Sequence, residues 1–197
     1  MLILGEGVTS RRNERRVEED LAALEMLGQA ARKANDLLGV RSLEIQQLPD
    51  NRMDGVDRLD VVKLVEDAIA RLRPSIMYTH HPGDMNLDHR VVHDSVCVAC
   101  RPYPGQPVKR LLFFEVLSST DWRPAGIGTP FAADWYVDAT ATLERKLAAL
   151  ACYENEMRPW PHTRSFRAVE HLARSRGATV GLEAAEAFVL GRYIVTP

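Results

Sequence analysis

Residues 75–100 read SIMYTHHPGDMNLDHRVVHDSVCVAC, and this stretch decides the fold. "SIMYTH" is a short apolar, β-prone run, "HPGDMN" turns the chain, and Val92, Val96 and Ala99 then recur at helical steps up to Arg101-Pro102. A strand that empties into a polar loop and then a helix is the βα junction of an α/β sheet. In such sheets the ligand site forms beyond the carboxyl ends of the strands.

The flanking sequence repeats this alternation. Upstream, Val61, Val62, Val65, Ile69 and Leu72 have helical spacing, and Pro74 ends that helix by disfavouring helical backbone at the residue before it. Further back, Leu2–Leu4 is a short strand ending at Gly5 and Gly7, Val17, Leu21, Leu24, Ala31 and Leu38 predict an amphipathic helix stopping near Gly39, and "SLEIQQLP" reads as a half-buried strand. Downstream come two strand-like runs, "KRLLFFEVLSST" and "DWYVDAT". A helix marked by Leu143, Leu147, Leu150 and Met157 follows, then another over 166–176, and a last strand in "AEAFVLGRYI". Strands alternating with crossover helices predict a Rossmann-like α/β fold, a mainly parallel sheet with helices on both faces. A chain of 197 residues is long enough to bury one core, so one domain over 1–197 is expected.

Composition narrows the function. Hydrophobic residues at 46% and charged residues at 26% describe a folded globular chain. Lys and Arg total 25 against 27 Asp and Glu, a net charge of −2 with no basic field for a nucleic-acid backbone. The apolar stretches fall short of the ~20 residues of a membrane span. Three cysteines among aliphatic neighbours point to a reduced, cytoplasmic protein.

The loop 79–89 concentrates the chemistry, with His80, His81, Asp84, Asn86, Asp88 and His89 inside eleven residues. Asp88 stands at the predicted helix start, where a carboxylate caps free amides and meets the positive helix end; a cap alone leaves the three histidines unexplained. His89 and His93 share a helix face as in H-E-x-x-H, yet residue 90 is Arg and supplies no general base, so His93 reads as a structural or supporting residue. Cys97 and Cys100 form a C-x-x-C placed two turns inside the helix, where small buried side chains are expected rather than a redox pair. "GEGVTS" at 5–10 is an incomplete dinucleotide fingerprint, and "RRNERR" at 11–16, followed by "EED", reads as a solvated helix start.

With its strand and its loop ending in Asp88-His89 at a helix start, "THHPGDMNLDH" resembles the LmbE/PIG-L superfamily of zinc-dependent de-N-acetylases. The pieces "LILGEGVTSRR", "ACRPYPG", "FFEVLSST", "ERKLAALACYENEMRPWPHTRS" and "AEAF" follow in the order of a bacterial branch of that superfamily, so the likeness spans nearly the whole chain. The resemblance implies hydrolysis of an N-acetyl group on a sugar conjugate of N-acetylglucosamine type. It makes His89 a zinc ligand and Asp88 the neighbour that tunes the catalytic groups. Asn86 becomes a donor to the oxyanion, His80 or His81 a proton source and Asp84 an orienting carboxylate. Arg158, His162 and Arg164 would bind substrate.

Family members begin with a strand and an A-H-P-D-D-E type motif that supplies the general base and two metal ligands. This sequence starts where the family's second strand would be, so an N-terminally incomplete sheet is expected, with weak zinc binding and self-association through uncovered edges. A start downstream of the true one and a catalytically silent relative both account for this, and the first is preferred. The other function classes are a non-catalytic carbohydrate-binding or regulatory protein on the same scaffold, and a nucleotide-binding domain using Gly5 and Gly7.

Overall fold

A computed structural model describes residues 1–11 and 16–195. The reading of "RRNERR" falls mostly on residues 12–15, outside the described residues. In chain order the elements are β1 (Leu2–Gly5), α1 (Val17–Leu38), β2 (Glu44–Leu48), α2 (Arg58–Leu72), β3 (Ile76–His80), α3 (Leu87–Ala99), β4 (Arg110–Phe114), β5 (Trp135–Asp138), α4 (Leu143–Ala151), α5 (Phe166–Thr179) and β6 (Ala185–Tyr193). The expected α/β class holds, and the parallel character of the sheets is partial. β1 runs parallel to β2 and β3 parallel to β4, whereas β6 returns antiparallel to β4. The strand orders are β1-β2 and β3-β4-β6-β5.

The chain divides into two compact units, Met1–Asn51 with Tyr136–Glu186, and Arg52–Trp135 with Ala187–Pro197. In the first, α1 turns Ala31 and Ala34 inward and leaves Leu21 and Leu38 in solvent, so its buried stripe is narrower than the apolar spacing predicts. Leu143, Ala173 and Ala184 form a small core there, with Leu147 packed on it. After β1 the chain enters a short 3-10 turn at Thr9–Arg11, not a long helix. The buried Glu6 carboxylate between Gly5 and Gly7 accepts the Thr9 hydroxyl. A carboxylate there repels phosphate, which removes the physical basis of the dinucleotide reading.

In the second unit, Val61, Val62, Val65, Ala68 and Ile69 of α2 are buried and only Leu72 of the predicted stripe is exposed. Asp57 caps α2 by accepting the Leu59 amide at 2.8 Å, and Arg73 closes it in the left-handed conformation, φ 44°, ahead of Pro74. α3 buries Val91, His93, Ser95, Val96 and Ala99, and Leu111 and Leu112 are buried in β4. No helix among the described residues is long and apolar enough to cross a membrane.

Candidate active site on the β3 and β4 loops

Parallel pairing of β3 with β4 sets the site. The register runs from Ile76↔Arg110 to His80↔Phe114, so both strands end side by side and release their loops at one edge. The His81 amide extends the ladder by one bond to the Phe114 carbonyl, 3.1 Å. The loop 81–86 therefore lies against the segment 115–121, and their polar side chains meet.

Asp84 is the centre of that meeting and has no exposed surface. Its Oδ1 accepts the Asn86 amide at 2.8 Å and the Ser119 hydroxyl, and its Oδ2 accepts the Thr120 hydroxyl at 2.7 Å. His89 Nδ1 stands 3.1 Å from Oδ1, an ion-pair distance, with its N–H aimed off the line of a hydrogen bond. Burial alone would push the Asp84 carboxyl up; the His89 imidazole beside it and the bonds from Ser119 and Thr120 outweigh it and bring it down to about 2. An ionised carboxylate only accepts, so of the two His89 ring nitrogens Nδ1 is the one whose proton it favours.

His80 stacks on His89, ring centroids 4.0 Å apart and planes 18° from parallel, and leans on Phe114 at 4.7 Å. Burial, reinforced by the His89 charge, holds His80 at about 3, far below the usual imidazole range. His80 is thus a neutral shelf beneath His89 at physiological pH. His81, 1% exposed, places Nε2 3.0 Å from the Thr129 carbonyl and its ring edge-on to Phe131. That bond makes Nε2 the protonated nitrogen and ties His81 to the 118–131 segment. His93 points Nδ1 at the His80 carbonyl, 2.8 Å, and Nε2 at Cys97 Sγ, 3.5 Å, which joins α3 to β3.

The cap of α3 corrects the sequence reading. Asn86, not Asp88, is the N-cap: its Oδ1 accepts the amides of Asp88 at 2.8 Å and His89 at 3.3 Å. Asn86 is placed by its own amide on Asp84, so the oxygen-containing residue nearest the free helix amides is fixed before Asp88 can reach them. The buried Asp88 instead accepts the Met53 amide at 3.0 Å, joining α3 to a short 3-10 turn at Met53–Gly55. Arg158, His162 and Arg164 lie together in the other unit. Arg164 pairs with Glu156 at 3.0 Å and donates its backbone amide to His162 Nδ1, while Arg158 donates to the carbonyls of Asn155 and Met157.

Several residues of the site have no motif to announce them. Ser119 and Thr120 hold Asp84. Arg90 donates to the carbonyls of Asp84 and Met85, 2.8 and 2.7 Å, and Arg123 reaches the Asp84 carbonyl at 3.3 Å. Gly83 is required by contact: a Cβ there would stand 1.9 Å from the Thr129 carbonyl oxygen. Ser119 and Thr120 follow the carboxyl end of β4, and only the pairing of β4 with β3 brings them to Asp84.

A catalytic zinc takes three protein ligands plus water. No group of three metal-binding side chains occurs among the described residues. Asp84 is already surrounded by donors, His81 is committed to Thr129, and the face-to-face stack keeps His80 and His89 from aiming in-plane lone pairs at one ion. His89 Nε2 is a single arm, and the described residues by themselves do not fit a zinc centre.

Three solved structures share the fold. GalB, the 4-carboxy-2-hydroxymuconate hydratase from Pseudomonas putida, superposes with a TM-score of 0.73 at 19% identity, over 100% of this chain and 85% of that one. N,N'-diacetylchitobiose deacetylase from Pyrococcus horikoshii gives 0.71 at 14% identity, over 100% and 74%. A conserved protein from Thermus thermophilus gives 0.67 at 22% identity, over 88% and 76%. No curated protein sequence matches the chain. The PIG-L family, described as GlcNAc-PI de-N-acetylase, matches residues 2–100, half of the 197 residues and the whole of the β3 loop that carries Asp84 and His89, and the chain belongs to that family.

Proposed function

We propose that the chain is an amide hydrolase of the PIG-L family that removes the acetyl group from a sugar conjugate of N-acetylglucosamine type. The observation that carries this is the Asp84–His89 pair, an imidazole 3.1 Å from a buried, ionised carboxylate. Hydrolysis of an unactivated amide needs a deprotonated water and relief of the charge that develops on the carbonyl oxygen. His89 Nε2 can take a proton, and Asp84 stabilises the imidazolium that results. Asn86 uses its Oδ1 for the helix cap, and its side-chain nitrogen is assigned as a donor to the oxyanion. Deacetylation is also the activity named for the Pyrococcus horikoshii neighbour. A zinc at His89 would need two further protein donors.

Acetate release from N-acetylglucosaminyl conjugates, matched by a new primary amine and abolished by His89→Ala, tests the proposal with zinc added and with chelator. Absence of acetate under every metal condition overturns it.

A second reading rests on the single metal arm: a protein that binds the sugar conjugate without cleaving it. Sugar binding indifferent to chelator, from a chain that releases no acetate, selects that reading. For location, three free cysteines fit the reducing cytoplasm, which we propose as its compartment.

A further inference from the structure

We propose that Ser119 and Thr120 are positioning residues for His89: by donating to the two oxygens of Asp84 they hold its carboxylate beside Nδ1 of His89, where its negative charge favours the proton on that nitrogen over Nε2. The inference rests on the reading of His89 as the working base or ligand of a hydrolase.

The geometry carries it in three steps. First, the His89 contact is too poorly aimed to orient Asp84, because at 3.1 Å the ring N–H misses the line to Oδ1. Second, the two hydroxyls grip opposite oxygens of the carboxylate, Ser119 on Oδ1 and Thr120 on Oδ2, which sets its torsion. Third, the hydroxyls are themselves fixed. The Val116 carbonyl accepts the amides of Ser119 and Thr120 at 3.2 and 2.8 Å. Thr120 Oγ1 accepts the Val116 amide at 2.8 Å, and Asp121 accepts the Ser119 amide at 3.0 Å.

Ser118 pays for the turn. Its φ of 66° is left-handed, a conformation strained for an L side chain that persists where the surrounding bonds enforce it. A turn that places two hydroxyls 35 and 36 residues away in sequence on one buried carboxylate is more than surface decoration. A hydrogen-bonded carboxylate behind an imidazole is also the arrangement that fixes which ring nitrogen is protonated.

The test is the imidazole tautomer of His89 in the full chain labelled with 15N, read from long-range proton–nitrogen correlations. Wild type is expected to show Nδ1–H with a bare Nε2. Ser119→Ala and Thr120→Val should each convert this to a mixture of tautomers, and Thr120→Ser should restore it. The signals of His81 and His93, anchored on the carbonyls of Thr129 and His80, should stay in place and so report an intact fold. If Ser119→Ala fails to fold, Thr120→Val with its Thr120→Ser rescue decides. An Nε2–H tautomer in wild type, or an unchanged tautomer in folded Thr120→Val, overturns the inference. Neither result depends on acetate release, so a failed deacetylase assay and a failed positioning role are told apart.

Discussion

Asp88 accepts the backbone amide of Met53 at 3.0 Å, a bond that joins α3 to the Met53–Gly55 turn, while Asn86 caps the helix. Both groups are buried, so removing the acceptor strands a donor at a cost of about 1–3 kcal/mol. Asp88→Ala should lower stability by about 2 kcal/mol, roughly 6 °C in melting temperature for a chain of this size. Asp88→Asn keeps an oxygen acceptor and should cost less than half of that. Equal melting of wild type and Asp88→Ala would refute the assignment.

Gly83 has no room for a side chain. A Cβ there would stand 1.9 Å from the Thr129 oxygen and 2.9 Å from His81 Nε2, and the first of these is backbone that cannot swing aside. Gly83→Ala should destabilise by about 3 kcal/mol in urea unfolding, at the upper end of overpacking costs. Gly55→Ala, with nothing within 4 Å of its Cβ, should stay within about 0.5 kcal/mol of wild type. Similar losses at the two sites would show that the loop contact is dispensable.

The β3–loop–α3 junction was legible because each of its signals is local: a β-prone run, a Pro-Gly turn and apolar residues at helical steps. The direction of β6 was not. A strand buried on both faces has the same composition whether its neighbour runs parallel or antiparallel, and the pairing of Leu112 with Leu190 is settled only by how the chain returns. The cap illustrates the same limit. Asn86 and Asp88 are equally good caps by residue type, and Met53, 35 residues upstream of Asp88, decided between them. Ser119 and Thr120 were out of reach for the same reason, since their partner Asp84 is distant in sequence and the run itself looks like an ordinary loop.

The C-x-x-C in α3 should be chemically quiet. Cys100 has no exposed surface, and burial pushes its thiol up to about 11, while burial also raises Cys97. The reactive thiolate is then scarce at pH 8. Iodoacetamide at that pH should leave Cys100 unmodified in the folded protein and alkylate it fully in urea, as read by peptide mass. Rapid labelling of Cys100 without denaturant, or a Cys97–Cys100 disulfide formed by oxidised glutathione, would contradict this assignment.

The buried histidines make stability depend on pH in a direction that the structure fixes. Burial lowers His93, against a raising bond to the His80 carbonyl, and burial with the His89 charge lowers His80 to about 3. An unfolded histidine takes its proton near 6.5, so on acidification the unfolded chain is protonated first and the folded state loses ground. Their contribution is therefore full above about pH 6.5 and falls as pH drops, for His80 until about pH 3, where the folded protein binds the proton as well. The slope approaches about 1.4 kcal/mol per pH unit for each fully shifted group, or about 2 kcal/mol for His80 between pH 7 and pH 5. Urea unfolding in metal-free buffer at pH 7, 6 and 5 should show this decline, and His80→Phe, which keeps an aromatic ring against Phe114 and His89, should flatten it. Parallel pH curves for wild type and His80→Phe would mean that His80 is already protonated in the native protein, and the neutral shelf beneath His89 would have to be abandoned.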